Sequence, residues 1–115
     1  MRQRVIEFSV SIQKVAKQLE QINQFVISRQ FLRSGTAIGA LVFEAEQAET
    51  RDDFIHKMKI SLKEANETRY WLTLVQNLIP LDNKITHDLL IIIKILNKSI
   101  VTAKLNRPKK KREKE

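Results

Sequence analysis

The chain of 115 residues carries two histidines and no cysteine, which narrows the chemistry open to it. Without thiols there is no disulfide, no thiolate zinc site and no cysteine nucleophile. Helical bundles that hold paired metal ions draw on Glu-x-x-His pairs. Neither His56 nor His87 has Glu three residues before it, and Asp53 before His56 is the nearest approach. No local signature marks a Ser–His nucleophile. A phosphate-binding loop is excluded because no strand precedes the glycines and no Gly-Lys-Ser/Thr follows them. These residues give no catalytic site, no metal and no cofactor, and the chain reads as a non-enzyme.

Three other groups remain. Glu64 and Glu67 fall between Ile60 and Trp71 on an apolar-leaning helical row. Carboxylates drawn into such a row must be paired or hydrogen-bonded. Arg33 is the chosen partner, with Lys63 and Arg69 as other candidates, and a buried ion pair that fixes helix register is expected. Tyr70 and Trp71 could stack bases, but the helical position of Trp71 favours packing. Lys104, Arg107, Lys109, Lys110, Lys111 and Arg112 could grip phosphates, with an affinity that falls steeply as salt rises.

The charge is uneven. Of a net +8, the stretch "KLNRPKKKREKE" at 104–115 supplies +5, leaving a mildly basic body. Such composition predicts a disordered basic tail. The longest apolar run, Leu89 to Ile93, is far short of the roughly 20 residues that span a bilayer. Polar residues interrupt any apolar core after Arg2 and Arg4, so no export signal is read. A soluble cytoplasmic protein with no membrane partner is expected.

The elements that position these residues are helices. Two glycines and two prolines leave too few turn residues for a strand-rich fold. Val5, Phe8, Ile12, Val15, Leu19 and Ile22 repeat with heptad spacing. A break at 22–25, near Asn23, separates helix 1 (about 3–22) from helix 2 (about 25–49). Helix 2 carries Ile27, Phe31, Ile38, Val42 and Ala45 on one stripe. Thr50 is a candidate cap, with Asp53 placed as in a capping box. Helix 3 (about 51–79) has one seam of Phe54, Met58, Ser61, Ala65, Thr68, Leu72 and Val75. Its second seam holds Ile60, Trp71, Leu74 and Leu78. Pro80 ends it and Asp82 can cap helix 4 (about 82–105), whose seam is Ile85, Leu89, Ile92, Leu96, Ser99 and Ala103. Ile91 and Ile95 fall on the opposite side, where a lone chain would leave them facing water. With Trp71 and Leu74 they are the candidate subunit contacts. The expected fold is all-α, an oligomeric antiparallel up-down four-helix bundle over 1–103.

Gly35 and Gly39 form a Gly-x-x-x-Gly pair inside helix 2. Each costs about 1 kcal/mol relative to Ala in a helix interior. Bare backbone on one face lets a neighbouring helix come close, and that packing offsets the loss. The contact could lie within one chain or between subunits.

Residues 31–72, "FLRSGTAIGALVFEAEQAETRDDFIHKMKISLKEANETRYWL", resemble the four-helix-bundle proteins encoded by intervening sequences of bacterial 23S ribosomal RNA genes. The matching runs are Leu32-Arg33-Ser34-Gly35-Thr36 with Ile38-Gly39-Ala40, then Glu44-Ala45, Asp53-Phe54-Ile55-His56-Lys57, Leu62-Lys63-Glu64-Ala65, Glu67-Thr68 and Tyr70-Trp71-Leu72. Leu41 stands where that family has Asn, and Phe43 where it has a small residue. The resemblance implies an up-down bundle assembled as a ring-like homopentamer. It implies association with RNA or the ribosome by genetic location. The family also looks like the basic accessory proteins of diversity-generating retroelements, which work with a reverse transcriptase and nucleic acid. The expected function is therefore sequence-tolerant RNA or DNA binding through the basic tail. The alternative is a protein-interaction scaffold without direct nucleic-acid contact.

Overall fold

The computed structural model describes residues 1–106. It contains α1 (Arg2–Gln21), α2 (Phe25–Glu46), α3 (Arg51–Gln76) and α4 (Lys84–Leu105), with no strand among the described residues. Arg107, Lys109, Lys110, Lys111 and Arg112 of the expected binding tail lie outside the described residues. Lys104 does not belong to a tail: it sits in the last turn of α4.

Local chemistry sets the helix ends. At the end of α1, Asn23 takes a left-handed φ of 62°, which Asn tolerates better than most side chains. Its N–H donates to the Glu20 carbonyl and that of Gln24 to the Leu19 carbonyl. This is the Schellman pattern, which satisfies carbonyls the helix leaves open. At the start of α3 the Thr50 hydroxyl accepts from the Asp53 N–H at 3.0 Å. At the start of α4 the Asp82 carboxylate accepts from the Lys84 N–H at 3.0 Å.

The helices pack as a four-membered bundle, α1 beside α2, α2 beside α3 and α3 beside α4, with a looser seam between α4 and α1. Val5, Phe8, Ile12, Phe31, Ile38, Leu72, Leu89, Ile92 and Leu96 belong to one continuous core. Several expected positions need correction. Ile22 caps α1 and is exposed, because the left-handed Asn23 turns the chain away there. Ile55 is buried where Phe54 was expected, and Ile100 where Ser99 was expected; Phe54 and Ser99 are only half-buried. Ile91 and Ile95 do not face open water. Both are half-buried, and Ile95 lines a groove between α4 and the start of α3, with Phe54.

The glycines mark a contact within one chain. A Cβ on Gly35 would stand 2.9 Å from three side-chain carbons of Ile12, and one on Gly39 3.2 Å from Val5 Cβ. The α2–α3 contact is built from small polar residues instead. Buried Ser61 donates to the Ile38 carbonyl at 2.9 Å, and Thr68 Oγ1 meets Ser34 Oγ at 3.0 Å. On the α1 side, buried Ser28 donates to the Ala16 carbonyl at 2.9 Å. Every buried side-chain polar atom described has a partner.

Candidate nucleic-acid interface

The sites begin with Arg33. Its place on α2 puts the guanidinium across from the α3 residues one turn apart, Glu64 and Glu67. Nη1 donates to Glu64 at 3.2 Å and Nη2 to Glu67. Nε donates to the Gln30 side chain at 3.1 Å. Glu67 also accepts from Trp71 Nε1 at 3.0 Å. The Tyr70 ring then stands edge-on to Trp71, with centroids 4.9 Å apart. The three residues expected to pair are thus together, but they are not buried. Side-chain exposure is 46% for Arg33, 17% for Glu64 and 33% for Glu67. Among the described residues no element covers the outer edge of the α2–α3 seam. Neither Lys63 nor Arg69 forms an ion pair with these carboxylates.

Other cations are also engaged. Arg2 pairs with Glu46 at 3.1 Å and lies over the Phe43 ring, 4.5 Å from its centroid. Lys57 pairs with Glu44 at 3.2 Å. Lys84 pairs with Asp88 at 2.8 Å, and this hydrogen bond raises the lysine pKa above its ordinary value, helped by the aspartate charge. Lys59, Lys63, Arg69, Lys94 and Lys98 have no such partner.

The proposed subunit contacts Trp71, Leu74, Ile91 and Ile95 are all half-buried in the single chain. The more exposed apolar side chains are elsewhere. Ile6 and Val10 flank a groove floored by Gly39 and edged by Ala40 and Phe43. Sequence periodicity missed them because they lie just off the α1 seam. His56 and His87 are exposed. Among the described residues no three His, Asp or Glu side chains gather in a metal-binding group, and no helix is long and apolar enough to cross a membrane.

The fold and these surfaces define a small basic helical bundle whose ion pairs are concentrated on some faces and missing from others. The chain belongs to the 23S rRNA-intervening sequence protein family, whose model matches residues 1–102. It is similar to a crystal structure from Bacteroides thetaiotaomicron VPI-5482, described as a protein with unknown function from the S23 ribosomal protein family. The two share 44% identity over 86% of this chain and 96% of that one, with a TM-score of 0.80. The comparison with curated proteins gives no match.

Proposed function

We propose that this protein is a non-enzymatic, oligomeric bundle that associates with RNA without strong sequence preference. The observation that carries this reading is the distribution of charge. Twelve residues at 104–115 hold +5 of the net +8. Phosphate neutralisation by such a segment releases counterions and gives affinity without base readout. The family's description ties its genes to ribosomal RNA, which makes a structured RNA the first ligand to test.

The bundle is antiparallel and up-down in this reading. Gly39 faces Val5 while Gly35 faces Ile12, and Lys57 meets Glu44 while Thr68 meets Ser34. Along each pair one number rises as the other falls. Self-association, as a homopentamer in the implied form, is supported by the exposed apolar Ile6 and Val10 beside the groove. An assembly multiplies the basic segments and adds avidity. A cytoplasmic location, with the ribosome or a reverse transcriptase as larger partners, is part of the same proposal.

The test is fluorescence anisotropy of a labelled RNA hairpin across a salt series. The intact chain is compared with a variant carrying Lys109→Gln, Lys110→Gln, Lys111→Gln and Arg112→Gln. Binding with a steep salt slope is expected, with the variant weaker. No binding by the intact chain at low salt would overturn the RNA reading and leave a protein scaffold.

A further inference from the structure

The outer face of the α3–α4 pair carries cations that the fold itself does not use. Ser61, Glu64 and Thr68 mark the side of α3 turned toward α2. Gln76, hydrogen-bonded to Thr86 at 2.8 Å, ties the end of α3 to α4. At about 100° per residue, Lys59, Lys63 and Tyr70 leave α3 on the side opposite its buried row. Arg69 leaves on the flank toward α4. On α4, Lys94 lies opposite the buried row of Leu89, Ile92 and Leu96. Because α3 and α4 pack side by side, these outward rows adjoin. All five residues are exposed.

Two properties together mark this face. None of its four cations has an ion-pair partner, a property shared with Arg4, Lys14, Lys17, Arg29 and Arg51 elsewhere on the bundle, whereas Arg2, Arg33, Lys57 and Lys84 are paired. Acids are also kept off it. From Leu89 to Asn106 there is no Asp or Glu, and Glu64 and Glu67 are turned to α2. The remaining acids of α3, Asp52 and Asp53, lie in its first turn, and Asp52, seven residues before Lys59, borders the end of this face. Tyr70 adds an aromatic ring that is 58% exposed. Its position is braced, since it stands edge-on to Trp71, whose Nε1 is held by Glu67.

We infer that this face is a binding surface for RNA on the bundle body: Lys59, Lys63, Arg69 and Lys94 contact backbone phosphates, and an unpaired base stacks on Tyr70. The inference rests on the nucleic-acid reading above and places the contact on folded structure as well as on the basic segment. Clustered cations without acids supply the field that phosphates require. A held aromatic ring accepts any base, because every base has a π-face. The ligand is an RNA with both a helical stem and an unpaired loop.

The test uses the full chain and a labelled RNA hairpin. A face variant carries Lys59→Gln, Lys63→Gln, Arg69→Gln and Lys94→Gln, all at exposed positions, with folding checked by circular dichroism. Loss of four phosphate contacts should weaken binding at least about tenfold and flatten the log–log salt slope by about 3. Tyr70→Ala should cost roughly tenfold on the hairpin and leave a fully paired duplex unaffected. If the intact chain binds and the face variant binds equally well, the inference fails while the RNA reading stands. If the intact chain binds no RNA at low salt, both fail, and the face is left to an acidic protein surface. Equal loss on hairpin and duplex by Tyr70→Ala would remove the stacking role.

Discussion

Gly35→Ala tests the packing logic of the bundle most directly. Two effects oppose each other. Alanine gains about 1 kcal/mol of helix propensity over glycine. The new methyl, however, stands 2.9 Å from Cδ1, Cγ1 and Cγ2 of Ile12. Ile12 is wholly buried, so it cannot swing outward, and forced overpacking costs about 1–3 kcal/mol. With three carbons inside contact distance the cost falls at the upper end, for a net loss of about 1–2 kcal/mol. For a domain near this size that lowers Tm by about 5–10 °C. Gly39→Ala is the internal control. Its methyl would stand 3.2 Å from Val5 Cβ, and Val5 lies in the opening turns of α1, where a shift of a few tenths of an ångström is easy. Gain and cost then nearly cancel, and Tm should stay within about 3 °C.

The assay is urea unfolding and thermal melting by circular dichroism, repeated at several protein concentrations because self-association raises apparent stability. A double-mutant cycle isolates the contact. Ile12→Ala alone should cost about 2–5 kcal/mol. In that background Gly35→Ala should turn stabilising, since the clash is gone and the propensity gain of about 1 kcal/mol remains. Additive behaviour, or a Gly39→Ala loss larger than that of Gly35→Ala, would refute this account of the glycines.

Further outcomes follow from other contacts. Thr50→Ala removes the hydroxyl that accepts from Asp53 N–H and should cost about 1 kcal/mol in unfolding experiments. Trp71→Phe keeps the packing but loses the bond to Glu67; it should cost about 1 kcal/mol and loosen Tyr70, seen as a change in near-ultraviolet dichroism. Asp88→Asn should lower the Lys84 pKa, followed by NMR of the side chain. The raised pKa means that the stability from this pair is complete below the unfolded lysine pKa and fades as pH climbs through the folded one. The variant should therefore narrow its gap to the parent only at strongly alkaline pH.

The sequence carried the helices clearly, because each has an apolar row and three of the boundaries hold a residue with a local mechanism, Asn23, Thr50 and Asp82. Its errors came from steps of one residue. Phe54 and Ile55 are both apolar and both near the α3 seam, and only the partner helices decide which turns inward. Ser99 and Ile100 pose the same ambiguity on α4. Ile22 continued the α1 heptad on paper, but a single left-handed residue, Asn23, took it out of the core. The glycine pair announced a close approach and did not name Ile12 and Val5 as its partners. The Arg33 cluster was legible because carboxylates one turn apart on an apolar row demand a cation. Its exposure was not, since that depends on whether a further element covers the seam. The α3–α4 face was the least legible feature. Its cations are scattered in sequence, and they become one surface only when Ser61 and Thr68 fix which side of α3 meets α2.

That face also separates stability from function by a change that should move them in opposite directions. Lys59 and Lys63 are four residues apart on α3, as are Lys94 and Lys98 on α4. Like charges at this spacing repel by about 0.2–0.5 kcal/mol per pair, and an acid placed before a lysine attracts by a similar amount. Lys59→Glu with Lys94→Glu converts both repulsions into attractions. The fold should gain about 1 kcal/mol, or about 4–8 °C in Tm, with most of the gain lost in high salt. RNA affinity should drop at least about tenfold, because two phosphate contacts become repulsive. If these lysines serve only solubility, stability rises and RNA binding stays as it was. If they serve the fold through long-range attraction, stability falls. Greater stability with lost RNA binding is the outcome that a ligand-bearing face requires, because its repulsion is relieved by the phosphates it holds.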